Sequence, residues 1–207
     1  FAHGEALQKE VVSKAGSQSE VIKLDKPGAI TALVLKLPAV SEEDSVALLR
    51  EMTISLYWDG QSEPSVWAPV GDFFGLAGGK VYYKMLMTGL VKDGAHDAYY
   101  ANWYMPYNSA RLVLGNDGKA DVDVEVEVHT EPLTTPADQL LRFHSKWHRD
   151  DFTGFDEERL WSDRWPDWPL LYLEGTQGRF CGFMAHMWNP NHQWNKKHRQ
   201  THARPYP

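Results

Sequence analysis

Residues 121–129 read DVDVEVEVH and decide the fold class, because apolar and polar side chains alternate strictly along them. In an extended chain Val122, Val124, Val126 and Val128 lie on one side, and the Asp, Glu and His side chains lie on the other. One buried face and one wet face are typical of a strand in an antiparallel sheet. The stretch therefore predicts an antiparallel sheet that covers an apolar core.

Other apolar runs, bounded by Gly, Asn, Asp or Pro, predict further strands. They lie at 20–26, 29–37, 47–58, 80–87 and 110–116, with two more in 169–188 around a GTQG turn. The NDG at 116–118 predicts that 110–116 and 121–129 pair as a hairpin. Residues 134–150 fit a helix or a strand, and the strand is slightly favoured. Many strands with long aromatic loops and no visible repeat predict an all-β fold, a jelly-roll β-sandwich.

The chain shows no linker clear enough to divide it into separate domains. We predict an N-terminal tail or edge strand at 1–19, a jelly-roll domain at 20–188 and an irregular C-terminal segment at 189–207.

Composition excludes several classes of function. The net charge of −7 argues against a nucleic-acid-binding protein, which normally has a basic face. No window approaches 18 consecutive apolar residues, so we expect no membrane-spanning helix. One cysteine, Cys181, leaves no intrachain disulfide, and its apolar surroundings predict an inert core position. Aromatic residues reach 13%, with nine Trp, which suits either loop packing or sugar stacking.

Residues 57–75 read YWDGQSEPSVWAPVGDFFG, which is longer and more aromatic than an ordinary hairpin loop. It is either a packed turn or one wall of a binding site. Asp72 lies between a glycine and two phenylalanines, where it either caps the turn or faces a ligand. Carboxylates that loops or strand ends would present for acid–base chemistry are Asp59, Asp72, Glu131, Asp150, Asp151 and Glu174.

Metal, phosphate and hydrolase motifs are weak or absent in the sequence. His144 and His148 are four residues apart, as are His198 and His202, but no HExxH glutamate or third ligand accompanies them. FFGLAGGK at 73–80 does not follow the phosphate-loop order, and no GxSxG occurs. We predict no metal and no cofactor.

Several stretches, in order, resemble glycoside hydrolase family 172, first catalogued as domain of unknown function 2961. Residues 57–75 resemble its WDGE-x-PSVE-x-PLGDFFG motif. The other stretches are PGAI (27–30), ANWYMPYNSARLVLGN (101–116), VHTE (128–131), LLRFHSKWHRD (140–150) and LEGTQGRFCG (173–182). These matches cover roughly 27–182, the N-terminal part of the family pattern.

The resemblance implies the first jelly roll of a double jelly roll, with part of the second possible. It implies a retaining glycoside hydrolase acting on fructo- or arabinofuranosides. The family's two catalytic glutamates lie in a region downstream of this chain, so we assign no catalytic residue here. Substrate-binding residues carried over from the motifs are Trp58, Asp59, Asp72, Phe73, Phe74, Met105, Glu131, His144 and Trp147.

The same resemblance sets the expected partners. They are a carbohydrate substrate and further copies of the chain, as a trimer or a multiple of one, with no nucleic acid and no membrane. The expected location is secreted or periplasmic. The alternative function is a non-catalytic carbohydrate-binding or assembly module, and a capsid-type structural jelly roll is a third.

Overall fold

The computed structural model describes residues 4–149 and 170–187. Residues 4–149 build two packed sheets, so the predicted all-β sandwich is confirmed. The strands are β1 (Glu5–Ser13), β2 (Ser17–Leu24), β3 (Gly28–Pro38), β4 (Met52–Trp58), β5 (Val66–Pro69), β6 (Tyr83–Lys84), β7 (Thr88–Asp93), β8 (His96–Ala101), β9 (Met105–Tyr107), β10 (Ala110–Asn116), β11 (Val122–Glu131) and β12 (Ser145–Lys146). The helices are α1 (Glu42–Glu51), α2 (Val70–Phe73) and a 3-10 turn at Ala137–Gln139.

The two sheets divide the strands unequally. The first sheet has the order β1-β11-β3-β8-β7-β6, with β9 also pairing with β3, and the second has the order β12-β5-β4-β10-β2. All of these pairings are antiparallel except β12 with β5, which is parallel. The core lies between the sheets, where residues such as Leu35, Leu56 and Leu112 are buried.

β11 adopts the predicted alternation and lies between β1 and β3. Val124, Val126 and Val128 are buried, while Asp123 on the other face is exposed. The wet face is partly covered by its own ion pairs, since Lys36 Nζ on β3 lies 2.9 Å from a Glu125 carboxylate oxygen. The period-two pattern therefore selects which face packs against the core.

The predicted hairpin between 110–116 and 121–129 is wrong, because the chain changes sheets at this point. β10 belongs to the second sheet and β11 to the first. The buried Asn116 side chain fixes the crossing: its Nδ2 donates to the carbonyls of Ser13 and Ala120, both at 2.9 Å, and its Oδ1 accepts from Gly118 N at 2.9 Å. The turn residues thus form a corner between the sheets.

The single strand predicted at 47–58 is also wrong in its first half, where α1 ends and β4 begins. The N-cap is Ser41, whose Oγ accepts from Asp44 N at 3.0 Å. Acidic residues fill the first turn and Arg50 lies in the last, which suits the helix dipole. The polar stretch SEEDS at 41–45 is thus the start of a helix.

The strand predicted at 80–87 is reduced to the two residues of β6. Lys80 at its start is buried, and its Nζ donates to Asp97 of β8 at 2.8 Å. At its end Met85 N donates to Thr88 O at 3.1 Å, which closes the turn into β7. Between these two points Tyr83 and Lys84 pair with Leu90 and Gly89 of β7.

Residues 134–149 combine the 3-10 turn with the short β12, so neither a long helix nor a long strand forms there. The two strands predicted around the GTQG turn are wrong for 170–187, which contain no strand and are exposed throughout. Among the described residues, no strand lies beside this segment to form backbone pairs with it. Cys181 lies in this segment and is exposed, so its predicted core position is wrong too.

Predictions for Asp150, Asp151, His198, His202 and the segment 189–207 lie outside the described residues. The division of the chain at 19 and 188 stays a prediction. Within the described ranges, no helix combines the length and the hydropathy needed to cross a membrane.

Candidate functional site

The site begins at a tight turn directly after β4. Gln61 N donates to Trp58 O at 3.0 Å, and the two central residues, Asp59 and Gly60, both have positive φ, of 56° and 77°. Asp-Gly favours this left-handed turn because Asp tolerates it and Gly adopts it without steric cost. The WDG sequence therefore places the Asp59 carboxylate at a fixed position beside the end of β4.

Asp59 uses both carboxylate oxygens within the protein. Its Oδ1 accepts from the backbone N–H groups of Asn108 at 2.6 Å and Ser109 at 3.2 Å. Its Oδ2 accepts from Arg142 Nε at 2.7 Å. Arg142 Nη1 also donates to the carbonyls of Ala137 and Leu140, both at 2.8 Å. Asp59 thus joins three separate parts of the chain.

Burial by itself would raise the pKa of Asp59. The hydrogen bonds from Asn108, Arg142 and Ser109 outweigh that effect, so the pKa lies below its usual range. A carboxylate with a depressed folded-state pKa contributes stability that is complete above the ordinary aspartate pKa of about 3.9. That contribution is lost as the pH falls through the folded-state value.

We therefore expect Asp59→Asn to reduce the dependence of unfolding free energy on pH in the window below about pH 5. Asparagine can still accept from both backbone N–H groups, so we expect the turn to remain. It cannot ionise, so the pH-dependent contribution of the Asp59 carboxylate to the free energy of unfolding is removed. Urea unfolding at several pH values between about 5 and 3 measures the slope. An unchanged slope in Asp59→Asn would mean that Asn108, Arg142 and Ser109 do not together hold the Asp59 carboxylate in solution.

A second contact point is built where α2 meets α1. Gly71 allows this approach, because a Cβ at this position would lie 2.9 Å from Leu49 Cβ and 2.9 Å from the Leu76 carbonyl oxygen. The close packing brings Arg50, in the last turn of α1, to Asp72 on α2. Arg50 Nη1 lies 2.6 Å from Asp72 Oδ2. Gly71, the first glycine of GDFFG, is thus required for this ion pair.

Asp72 also holds an aromatic side chain. Its Oδ1 accepts from Trp147 Nε1 at 3.1 Å, and its side chain is only 11% exposed. The Arg50 guanidinium lies over the Trp147 ring, 5.9 Å from the centroid. Trp67 packs edge-on against Trp147 at 5.6 Å between ring centroids. The result is a half-buried indole fixed by a carboxylate, a guanidinium and a second indole.

Between these two points the chain contributes backbone contacts. Ser145 N donates to Ser65 O at 3.1 Å, and Ser145 and Lys146 pair in parallel with Val66 and Trp67. Trp58 Nε1 donates to Phe143 O at 2.6 Å. Residues 58–72, which we name the cradle, thus contact residues 142–147, the docked segment, along its whole length.

Several predicted site residues lie inside the core, and one of them, Trp58, also contacts the docked segment through its indole N–H. Trp58, Phe74 and Met105 are fully buried, and Phe73 is 8% exposed. Their rings and thioether therefore face the core, and any effect on a ligand would be indirect. Glu131 ends β11 in the first sheet, opposite Ala29. Trp58, Asp59, Asp72 and Trp147 are the predicted residues that the cradle and the docked segment bring together.

His144 belongs to the docked segment and its side chain is exposed. Partial loss of hydration, followed by the positive charge of Lys146, holds the pKa of His144 below its ordinary value. The imidazole is thus neutral over a wider range of pH than that of a free histidine, and can accept as well as donate a hydrogen bond.

The arrangement limits what the described residues can do chemically. The carboxylates of Asp59 and Asp72 are each paired with an arginine, so neither is free as a general acid or base. Among the described residues no group of three or more His, Cys, Asp or Glu is placed to hold a metal ion. A depression of about 470 Å³ lies between β6 and β7, and none of the predicted site residues lines it.

Sequence reasoning missed Arg50, Arg142, Trp67 and Ser65. Arg50 is 22 residues from Asp72 and Arg142 is 83 residues from Asp59, so local spacing carries no signal for either pair. An aspartate that is largely buried needs a cation or several N–H donors, which is the reason to search for arginines elsewhere in the chain. Ser65 acts through its carbonyl oxygen, which no side-chain pattern indicates.

Comparison with known proteins gives a match to a protein family. A family model described as GH172 domain-like matches residues 3–128, from the first strand to near the end of β11. No curated protein matches the chain. The matched range contains the whole cradle and stops before the docked segment.

Proposed function

Since the chain belongs to the GH172 domain-like family, which relates it to glycoside hydrolases, we propose that it forms part of a hydrolase acting on furanosides with retention of configuration. In this proposal the cradle and the docked segment supply a wall of the sugar site. The glutamates that break the glycosidic bond come from a region outside this chain.

The main support for this proposal is the set of contacts among the side chains of Asp72, Arg50 and Trp147. A half-buried indole held by a carboxylate, a guanidinium and a second indole offers a rigid ring face, and sugars stack on such faces through their C–H surfaces. Arg50 uses one guanidinium nitrogen on Asp72 and has others that can donate to hydroxyl groups. His144, exposed on the same docked segment, adds a neutral imidazole.

The second candidate function is a non-catalytic carbohydrate-binding module. The pairing of Asp59 and Asp72 with arginines favours it, because neither carboxylate in the cradle is free for acid–base catalysis. Both candidates require the wall to bind sugar. They differ in whether this chain, combined with the region that carries the catalytic glutamates, hydrolyses a furanoside, which release of reducing sugar measures.

We expect methyl fructofuranoside or methyl arabinofuranoside to bind the full chain and to shift the indole N–H resonance of Trp147 in a nuclear magnetic resonance titration. Trp147→Ala should weaken this binding by about tenfold, because the stacking face is lost. Tyr172→Ala, which removes an exposed ring outside the cradle, is the matched control and should bind as the unmodified protein does. Binding of pyranosides alone, or equal affinity in Trp147→Ala, would refute the wall.

A further inference from the structure

The outer face of the second sheet carries aromatic and polar side chains beside the docked segment. Ser55 and Tyr57 on β4, Trp67 on β5 and Arg111 on β10 each lie between two residues of the core. Because successive side chains of a strand point to opposite faces, all four point away from the core. Tyr57, Trp67 and Arg111 are half-buried, so part of each side chain is accessible. Side chains from three neighbouring strands therefore share one surface.

The strand register brings these four side chains, which we name the outer row, close together. Ser55 lies directly opposite Trp67 in the pairing of β4 with β5, and Tyr57 lies directly opposite Arg111 in the pairing of β4 with β10. Side chains directly opposite each other have Cβ atoms roughly 5 Å apart, and diagonal neighbours such as Tyr57 and Trp67 are roughly 7–8 Å apart. The outer row is thus continuous from β5 to β10.

Contacts fix both ends of the outer row. The Arg111 guanidinium lies over the Tyr57 ring, 4.3 Å from its centroid, and Arg111 Nη1 is 3.5 Å from a Glu20 carboxylate oxygen on β2. At the other end Trp67 packs edge-on against Trp147, with 5.6 Å between ring centroids. The outer row therefore adjoins the sugar wall, to which Trp147 belongs.

The outer row has hydrogen-bonding groups that the described part of the chain leaves unused. Among the described residues, neither the indole N–H of Trp67 nor the hydroxyl of Tyr57 forms a hydrogen bond. The Arg111 guanidinium has five N–H donors, more than its contact with Glu20 requires. Aromatic rings beside unused donors suit a sugar, which offers a C–H surface to a ring and hydroxyl groups to the donors.

The charges around the outer row compensate each other. Arg111 is paired with Glu20, and Lys23, which lies opposite Arg111 on β2, is 3.1 Å from an Asp25 carboxylate oxygen. Because each cation has an acidic partner, the surface has no local excess of either sign to attract an ionic ligand. A neutral ligand is therefore favoured.

We propose that the outer row binds a further sugar residue of the same ligand, so that the chain takes oligofuranosides rather than single furanosides. This inference rests on the proposed function and names the class of its substrate. A first sugar stacked on Trp147 would bring the next residue of the oligomer to Trp67, and its hydroxyl groups to Arg111 and Tyr57. An extended peptide is disfavoured, because it binds along an open strand edge and the outer row lies on the face of the sheet.

The test is a nuclear magnetic resonance titration of the full chain with oligomers of arabinofuranose and of fructofuranose. The methyl furanoside is the shortest member of each series, and the others have two, three and four sugar residues. We expect the trisaccharide to bind about tenfold more tightly than the methyl furanoside of the same sugar, because it also contacts the outer row. Equal affinity for all lengths in both series would overturn the proposal.

Arg111→Gln should abolish this gain in affinity with length. It should leave the affinity for the methyl furanoside unchanged, because β4 and β5 lie between Arg111 and the docked segment. Tyr57→Phe keeps the ring and removes only the hydroxyl, so it should lose about threefold in trisaccharide affinity. Arg179→Gln, which changes an exposed arginine outside both sheets, is the matched control and should keep the full gain.

Three results with these variants would contradict the outer row. They are a gain with length that persists in Arg111→Gln, an equal loss in Arg179→Gln, and a loss of methyl furanoside affinity in Arg111→Gln as large as the loss for the trisaccharide. In the last case Arg111 would support the first sugar or the fold, and not a further sugar residue.

The failure of this inference differs from the failure of the proposed function. If the methyl furanosides bind near Trp147 and the oligomers bind no more tightly, only the outer row is wrong. If neither the methyl furanosides nor the oligomers bind, the sugar wall itself is wrong.

Discussion

Replacing Asp97 by alanine is expected to lower the free energy of unfolding by about 3–5 kcal/mol, because it breaks a buried ion pair. Asp97 on β8 is fully buried and its two oxygens accept from Lys80 Nζ at 2.8 Å and Tyr82 Oη at 2.7 Å. Removing the carboxylate leaves the Lys80 ammonium, itself only 8% exposed, without its partner in the protein interior. Urea unfolding of the variant measures the loss.

The matched control for Asp97→Ala is Asp121→Ala. Asp121 forms an ion pair with Lys14 at 2.6 Å, but both side chains are exposed, at 47% and 66%. Exposed pairs contribute about 0–1 kcal/mol, so this variant should unfold almost as the unmodified protein does. Similar losses in the two variants would show that Lys80 reaches water and that the buried pair is not formed.

Trp58→Ala is expected to cost about 3–5 kcal/mol, because a fully buried indole at the end of β4 is replaced by a cavity. The ring is stacked on Tyr107 with 6.3 Å between centroids and an angle of 10° between planes. Its Nε1 also donates to Phe143 O. The variant therefore loses both core packing and one anchor of the docked segment.

Trp58→Phe separates these two contributions. Phenylalanine keeps much of the ring and removes the N–H donor, so the expected loss is about 1–2 kcal/mol. A loss in Trp58→Phe as large as that in Trp58→Ala would contradict the packing role of the ring. Equilibrium unfolding of both variants, followed by circular dichroism, gives the comparison.

The period-two pattern of 121–129 was sufficient to predict β11 and its buried face, since alternation reports directly on which side packs. It could not predict the partner strands. The NDG turn suits a hairpin locally, but the side chain of Asn116 bonds to Ser13 and Ala120, and these long-range contacts turn the chain into the other sheet. Pairing between distant strands is set by tertiary packing, which local patterns do not contain.

The boundary between α1 and β4 illustrates a second limit. Residues 47–58 have the apolar content of a strand, while the helix start is encoded earlier, in the Ser41 cap and the acidic first turn. Because the apolar run does not show the helix start upstream of it, the predicted strand began at 47, five residues before β4 begins at Met52. For 170–187 the pattern predicted strands, and the described residues provide no neighbour for them.

The resemblance to a known family identified Asp59, Asp72 and Trp147 as substrate-binding residues, which stays a prediction. The structure adds that Asp59 and Asp72 form ion pairs with Arg142 and Arg50. These partners could not be predicted, because each pair joins segments that are far apart in the sequence. Most of the long aromatic stretch, residues 58–72, thus forms the cradle for a later part of the chain.

Amide hydrogen exchange at Ser145 tests this central claim most directly, because its N–H donates to Ser65 O within the cradle. We expect a protected Ser145 amide in the unmodified protein. In Asp59→Asn that protection should fall by about tenfold, while the Leu35 amide in β3 is unchanged. An unprotected Ser145 amide in the unmodified protein, or equal losses at Ser145 and Leu35, would contradict the cradle.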